Sequence, residues 1–185
     1  SQQIQLVDWV VVNEQFKNPL LNNQSIERLQ STIRQANKPA LADLRSLGSV
    51  ATQIPIKVNE HELSQILGIS ESEIKNQAPD FEHIKNWVSR RDVAALVTLG
   101  EQGLVYADPD GIHWQQAIGP TGEIDTVGAG DMIVAAFSAA RAAGASISES
   151  CEFATLCAHI SIHKIGETGS ASPSEIEQLN LKTHE

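Results

Sequence analysis

Asp125-Thr126-Val127-Gly128-Ala129-Gly130-Asp131 is a run of small residues closed at each end by a carboxylate. Strong helix formers follow at 132–143, and Gly144 supplies a stop. A tight turn that opens a helix aims unpaired backbone N–H groups at one point, with the positive end of the helix dipole behind them. Such a point attracts anions, phosphate among them. Gly128 and Gly130 let the backbone approach the anion with no Cβ in the way. Asp131 is then a negative group placed where a negative ligand should sit. Either it caps the helix and interacts with its dipole, or it takes a proton from a hydroxyl that attacks a bound phosphate.

A second pair of candidates lies upstream. Asn59 and Glu62 stand three apart at the start of a helical stretch, after the extended run 54–58. Asn59 is a good N-cap and Glu62 falls where a capping box places its carboxylate. A third candidate is Thr98-Leu99-Gly100-Glu101-Gln102-Gly103, a glycine-bounded loop after the apolar run 92–98. A loop after a parallel strand sits at the carboxyl edge of the sheet, where ligands bind in open α/β folds. Glycines that merely shape a β-turn explain the same pattern.

The elements that must position these groups alternate. The apolar run 7–12 suits a buried parallel strand. Residues 25–36 place Ile26, Leu29 and Ile33 on one helical face, and 39–43 reads as the next strand, so the three form a βαβ unit. Residues 70–76 and 81–88 read as helices with Ser70 and Asp80 as N-caps. Stretches 104–106 and 112–114 alternate as a hairpin around 109–111. Residues 148–165 read as a helix capped by Ser148 or Ser150, with Phe153, Leu156, Cys157 and Ile160 on its apolar stripe. A turn cluster at 166–173 and a short helix at 174–179 follow. This order predicts an α/β fold with a mostly parallel sheet, residues 1–185 forming a single domain.

The 185 residues suffice for a real core, and 41% hydrophobic with 19% charged residues marks a globular chain. The net charge of −10 argues against a duplex-binding surface, so no nucleic-acid partner is expected. An amide nest and a metal can still hold phosphates on an acidic protein. Cys151 and Cys157 read as reduced core residues. No apolar run reaches membrane-spanning length, so no membrane partner is expected, and a cytoplasmic location is the default. There is no Gly-Lys pair for a P-loop and no G-x-G-x-x-G after a strand. His159 and His163 stand at i and i+4, but no third metal ligand accompanies them, so core or surface histidines are the better reading.

Asp125–Asp131 resembles the DTxGAGD signature of the ribokinase or PfkB sugar-kinase family. The resemblance implies a ribokinase-like three-layer α/β/α fold and ATP-dependent phosphorylation of a sugar hydroxyl. It implies that Asp131 is the base and that the Gly128, Ala129 and Gly130 amides stabilise the shifting phosphate charge. Thr126 of the same motif, with Thr98, Gly100 and Gly103, would line the ATP site. The family's N-x-x-E falls on Asn59 and Glu62, which implies Mg²⁺ held there through water. Asp125 and the Val127 carbonyl would join a monovalent cation site, K⁺ being the example. Two further family stretches are degraded here, at 13–18 and at Asp43-Leu44-Arg45.

The resemblance runs from the first strand to the last helix, while relatives begin with a longer N-terminal portion carrying a glycine-rich substrate motif and a β lid. Neither is visible in this sequence. The expectation is therefore the C-terminal portion of a larger kinase, or a chain whose missing N-terminal half a partner supplies, and the piece alone should have little activity. A non-catalytic nucleotide- or anion-binding module stays open as the alternative, and so does a homo-oligomer.

Overall fold

The computed structural model describes residues 3–16, 18, 20–45, 51–167 and 169–183. Lys17 of the 13–18 stretch and Thr168 of the 166–173 turn cluster lie outside the described residues. The chain forms two compact units, Ser1–Leu99 with Val105–Trp114, and Gly100–Leu104 with Gln115–Glu185.

In the first unit, a 3₁₀ turn (Gln3–Leu6) precedes strand β1 (Val10–Glu14), helix α1 (Asn23–Gln35) and strand β2 (Ala40–Leu44). Strand β3 (Ile56–Asn59) runs directly into α2 (Glu60–Leu67), then come α3 (Glu71–Lys75), α4 (Glu82–Arg91) and β4 (Ala95–Thr98). Strands β5 (Leu104–Asp108) and β6 (Gly111–Gln115) complete a six-stranded sheet ordered β1-β2-β3-β4-β5-β6. β1 to β4 are parallel, with Val12 opposite Ala42, Asp43 opposite Lys57, and Asn59 opposite Thr98. The expected mostly parallel α/β architecture is the one found.

One sheet face is the unit's apolar core. Val12, Ala42, Ile56, Val58 and Val97 alternate onto it and meet Ile26 and Ile33 of α1, Leu63 of α2 and Ile84 and Val88 of α4. Each of the valine, leucine and isoleucine side chains contributes about 1.5–3 kcal/mol on full burial. The period of three and four along α1 and the period of two along the strands are thus one pattern read in two geometries.

Helix starts follow local chemistry. Ser70 caps α3 in a box with Glu73, as expected. The α4 start departs from expectation: Asp80 is not the cap. Phe81 takes that position at φ 43° with no side-chain cap bond, because its ring is buried and edge-on to Trp114 at 5.5 Å. The Gln77 Oε1 accepts the His83 N–H instead, at 2.8 Å.

The second unit is built from α5 (Ala129–Ala142), α6 (Ile147–Ile162) and α7 (Pro173–Thr183). Ser146, rather than Ser148 or Ser150, caps α6, since only Ser146 has a glutamate three residues on that can return the bond. Buried faces of α5 (Ile133, Val134, Phe137) and α6 (Cys151, Ala154, Leu156) give this unit its apolar interior. Both cysteines are free and buried, and burial pushes the Cys151 thiol up to about 12 and Cys157 to about 11. They are inert core residues, as read from the sequence. α7 begins at Pro173, one residue before the expected start, is capped by Ser172, and runs on past 179 to Thr183.

Candidate active site

The turn before α5 is held open by one glycine. Gly128 is the N-cap at φ 82°, and no side chain bonds across the cap. An added Cβ there would meet open space, so glycine is required by the left-handed backbone and not by crowding. The Ala129 N–H donates to the Thr126 carbonyl at 3.2 Å and the Met132 N–H to the Gly128 carbonyl at 2.9 Å. Gly130 and Asp131 stand in the first helical turn, whose N–H groups have no carbonyl four residues back within the helix. Asp131 is exposed, and Thr126 and Val127 beside it are exposed too.

Asp125 works as a clasp. Its Oδ1 accepts the Val127 N–H at 3.0 Å and its Oδ2 accepts the Gly166 N–H at 3.1 Å. Its own N–H donates to the Ile162 carbonyl at 2.7 Å, one of the orphan carbonyls at the α6 C-terminus. The first aspartate of the run therefore ties the turn to the end of α6, while the last one faces solvent.

The glycines of the 98–103 loop differ in kind. Gly100 opens a 3₁₀ turn (Gly100–Gln102) at φ 56°. Gly103, at φ 90°, packs so closely on the following chain that a Cβ would fall on the Gln115 carbonyl oxygen and within 2.5 Å of the Ala117 nitrogen. Thr98 is buried at the end of β4.

In the first unit, Asn59 and Glu62 form a complete capping box. Asn59 Oδ1 accepts the Glu62 N–H at 2.8 Å, and Glu62 Oε2 accepts the Asn59 N–H at 2.9 Å. Two positions back, Lys57 is nearly buried and pairs with Asp43 at 3.4 Å across the β2–β3 register. The lysine gave no signal in the sequence beyond being a charge inside a strand. Removing one partner of such a buried pair typically costs about 3–5 kcal/mol.

Sequence reading also missed a polar seam on α6. His163 Nε2 lies 3.2 Å from the Thr121 nitrogen, and His159 Nδ1 lies 3.2 Å from the Ile118 carbonyl oxygen. Burial lowers the His159 pKa below the usual histidine range, partly opposed by the Ile118 hydrogen bond. The spacing of four between the histidines was visible in the sequence, but their partners lie some forty residues earlier. Among the described residues no cluster of three metal-ligating side chains occurs, and no helix is long and apolar enough to cross a membrane.

A model of the pfkB family carbohydrate kinases matches residues 2–175. The chain belongs to that family. Ribokinase of Schizosaccharomyces pombe is 32% identical over 127 residues, covering 67% of this chain and 40% of the yeast protein. The bifunctional protein HldE of Salmonella paratyphi B is 28% identical over 158 residues, covering 83% of this chain and 32% of that protein. Among solved structures, Arabidopsis thaliana ribokinase complexed with ribose and ATP superposes with a TM-score of 0.81 at 20% identity, over 96% of this chain and 57% of that one. Phosphofructokinase-2 from Escherichia coli in complex with potassium gives 0.79 at 20% identity, over 100% of this chain and 60% of that one. These structures establish the ribokinase-like α/β fold. The PfkB chain described here spans well under half the length of the two curated relatives and about three-fifths of the two solved ones.

Proposed function

We propose that this PfkB chain is the base-bearing and nucleotide-binding part of an ATP-dependent kinase acting on a sugar hydroxyl. The observation that carries the reading is the α5 start: an exposed carboxylate in the first turn of a helix whose cap is a left-handed glycine with no side chain across it. Asp131 accepts the proton of the attacking hydroxyl. First-turn N–H groups and the helix dipole stabilise charge on the transferred phosphoryl. Gly128, Ala129 and Gly130 supply the backbone of that anion hole, with the Ala129 N–H already shared with Thr126. Thr126, Thr98, Gly100 and Gly103 belong to the nucleotide site in this reading.

Mg²⁺ suits Glu62: the capping bond uses one carboxylate oxygen, and this ion favours one or two carboxylates with retained waters. Asn59 would hold that glutamate in place. When bound, the ion neutralises phosphate charge. For a monovalent cation, Asp125 and the Val127 carbonyl are the candidate ligands, and the clasp to Gly166 keeps the Asp125 carboxylate in position.

The sugar-binding half is supplied by polypeptide outside these 185 residues, and β1 is where it packs. Among the described residues β1 has β2 as its one neighbour in the sheet. Val11 on that strand is 44% exposed, and Leu6, Phe16 and Leu20 around it are 85%, 62% and 83% exposed. A parallel sheet is ordinarily covered on both faces, and β1 carries neither lysine nor proline within Val10–Glu14.

Calorimetry of MgATP against the 185-residue chain tests the nucleotide reading, and a coupled assay on the complete kinase tests the base. MgATP binds the wild-type chain and the Asp131→Asn variant alike, while only the wild-type complete enzyme turns over. Equal turnover by the variant would remove Asp131 from the role of base. Phosphorylation of sugar by the isolated chain would remove the need for a further portion.

A further inference from the structure

The strap that feeds the glycine turn has almost no apolar anchor. Every residue from 119 to 124 is exposed. Its place is set by polar ties to α6 and the turn just after it. His159 Nδ1 meets the Ile118 carbonyl at 3.2 Å. The Thr121 N–H donates to His163 Nε2 at 3.2 Å. The Asp125 N–H donates to the Ile162 carbonyl at 2.7 Å, and the Gly166 N–H to Asp125 Oδ2 at 3.1 Å. His159 and Ile162 stand in the last turn of α6, His163 is its C-cap, and Gly166 follows in the turn at φ 71°, so the helix end and that turn carry the seam together.

The histidine proton can be placed. His163 Nδ1 lies 2.7 Å from the His159 carbonyl oxygen, which only accepts, so Nδ1 carries hydrogen. In the neutral ring Nε2 is then an acceptor and takes the Thr121 N–H. The Thr121 carbonyl oxygen lies 3.1 Å from the same Nε2, so a charged ring donates there instead. His163 holds Thr121 in either state. The His159 ring stacks obliquely beside it, centroids 4.5 Å apart, and reaches the strap one step earlier. Both rings are half-buried and turned to backbone, which leaves this i, i+4 pair no geometry for a shared metal ion.

We propose that His163, backed by His159, is a positioning residue for the anion turn: the imidazole pair fixes the strap 118–125 on α6 and so sets where the amides of 128–130 and the Asp131 carboxylate stand. Its catalytic consequence rests on the phosphotransfer reading; its structural content does not.

Residue-level amide hydrogen exchange on the unliganded 185-residue chain tests it, with MgATP affinity measured on the same samples. His163→Leu keeps bulk and removes both polar contacts. His163→Gln keeps a donor and an acceptor. The expected result is exchange about fivefold faster or more in the leucine variant at Thr121, Val127 and Ala129, whose N–H groups are hydrogen-bonded, one hydrogen bond being worth about 1 kcal/mol. Exchange in the interior of α5, at 136–138, stays at the wild-type rate, the glutamine variant recovers most of the protection, and MgATP binding weakens only in the leucine variant. Unchanged exchange at Val127 and Ala129 overturns the proposal, and so does uniform acceleration through α5 and α6, which would make His163 a generic stabiliser. If even the wild-type chain fails to bind MgATP, the phosphotransfer reading falls, and the exchange contrast still decides the positioning role.

Discussion

α2 and α5 both begin with an acidic residue three positions after the cap, and they use it in opposite ways. At α2 the spacing closes on itself: Asn59 and Glu62 satisfy each other's backbone N–H groups. α3, α6 and α7 start the same way, with Ser70 and Glu73, Ser146 and Glu149, and Ser172 and Glu175. At α5 the cap is Gly128, no side chain crosses it, and Asp131 is exposed. Capping boxes thus close four helix starts, α1 has a one-way Asn22 cap, and α4 and α5 have no side-chain cap, α4 because the buried Phe81 takes the position. On the proposed reading, the difference separates a helix end built for stability from one whose donors are kept for a phosphate, and a glycine cap gives up only about a few tenths of a kcal/mol against a side-chain cap.

The strongest way to break this contrast is chemical. Asp131→Ala in the complete kinase should lower kcat by about 10²–10⁴, the usual contribution of a positioned general base, with MgATP affinity little changed. A steady-state assay with calorimetry alongside reads both numbers, and wild-type kcat would place α5 with the ordinary helix starts. Next in size is the cap itself. Gly128→Ala forces a Cβ into φ 82°, which costs about 1–2 kcal/mol although nothing stands in its way. Thermal unfolding should record that loss, and nucleotide affinity should fall with it because the amides turn with the backbone. A variant as stable and as tightly binding as wild type would show that the left-handed turn is not needed.

How much of this was legible follows from the range of each interaction. The α5 start was readable because the whole device, glycine turn, carboxylate and helix, fits within a few consecutive residues. The Asn59–Glu62 spacing was readable as a cap for the same reason. The α4 start was not, because the burial of Phe81 against Trp114, 33 positions later in the chain, overrides the local preference for Asp80. The α6 cap was missed by two residues, although the rule that finds it, serine with glutamate three on, is local. The His163–Thr121 tie and the Asp43–Lys57 pair were beyond reach, since each joins residues whose proximity only the tertiary fold creates. Strand β1 was placed three residues early: the apolar run starts at Val7, but pairing to β2 begins at Val10.

A smaller effect separates the two readings of the α2 box. Asn59→Ala should cost about 0.5–2 kcal/mol of stability, the typical loss of an N-cap. If α2 is only a cap, MgATP affinity measured well below the melting range stays at the wild-type value in both Asn59→Ala and Glu62→Gln. If Glu62 also serves the metal, Glu62→Gln weakens MgATP but not ATP measured without magnesium. The pair of titrations therefore sharpens the comparison whichever way it falls, because stability and metal dependence are read on separate axes.

The α7 box should show its worth through pH. Hydrogen bonds from the Ser172 hydroxyl and N–H, then from Lys164 at 2.9–3.0 Å, hold the Glu175 carboxyl at about 2, against an ordinary 4.5. A carboxylate whose pKa is depressed by folding stabilises the fold above the unfolded value, and that contribution disappears as pH falls from 4.5 through about 2. Carbon-detected titration of the Glu175 side chain should therefore give a midpoint far below that of a free glutamate. In Lys164→Met the midpoint should rise only part of the way back, since the serine bonds are the larger cause, and in Ser172→Ala it should rise further. A midpoint near 4.5 in the wild-type chain would mean that the box is not formed in solution, and α7 would then have to be grouped with α4 and α5 as a helix without a side-chain cap.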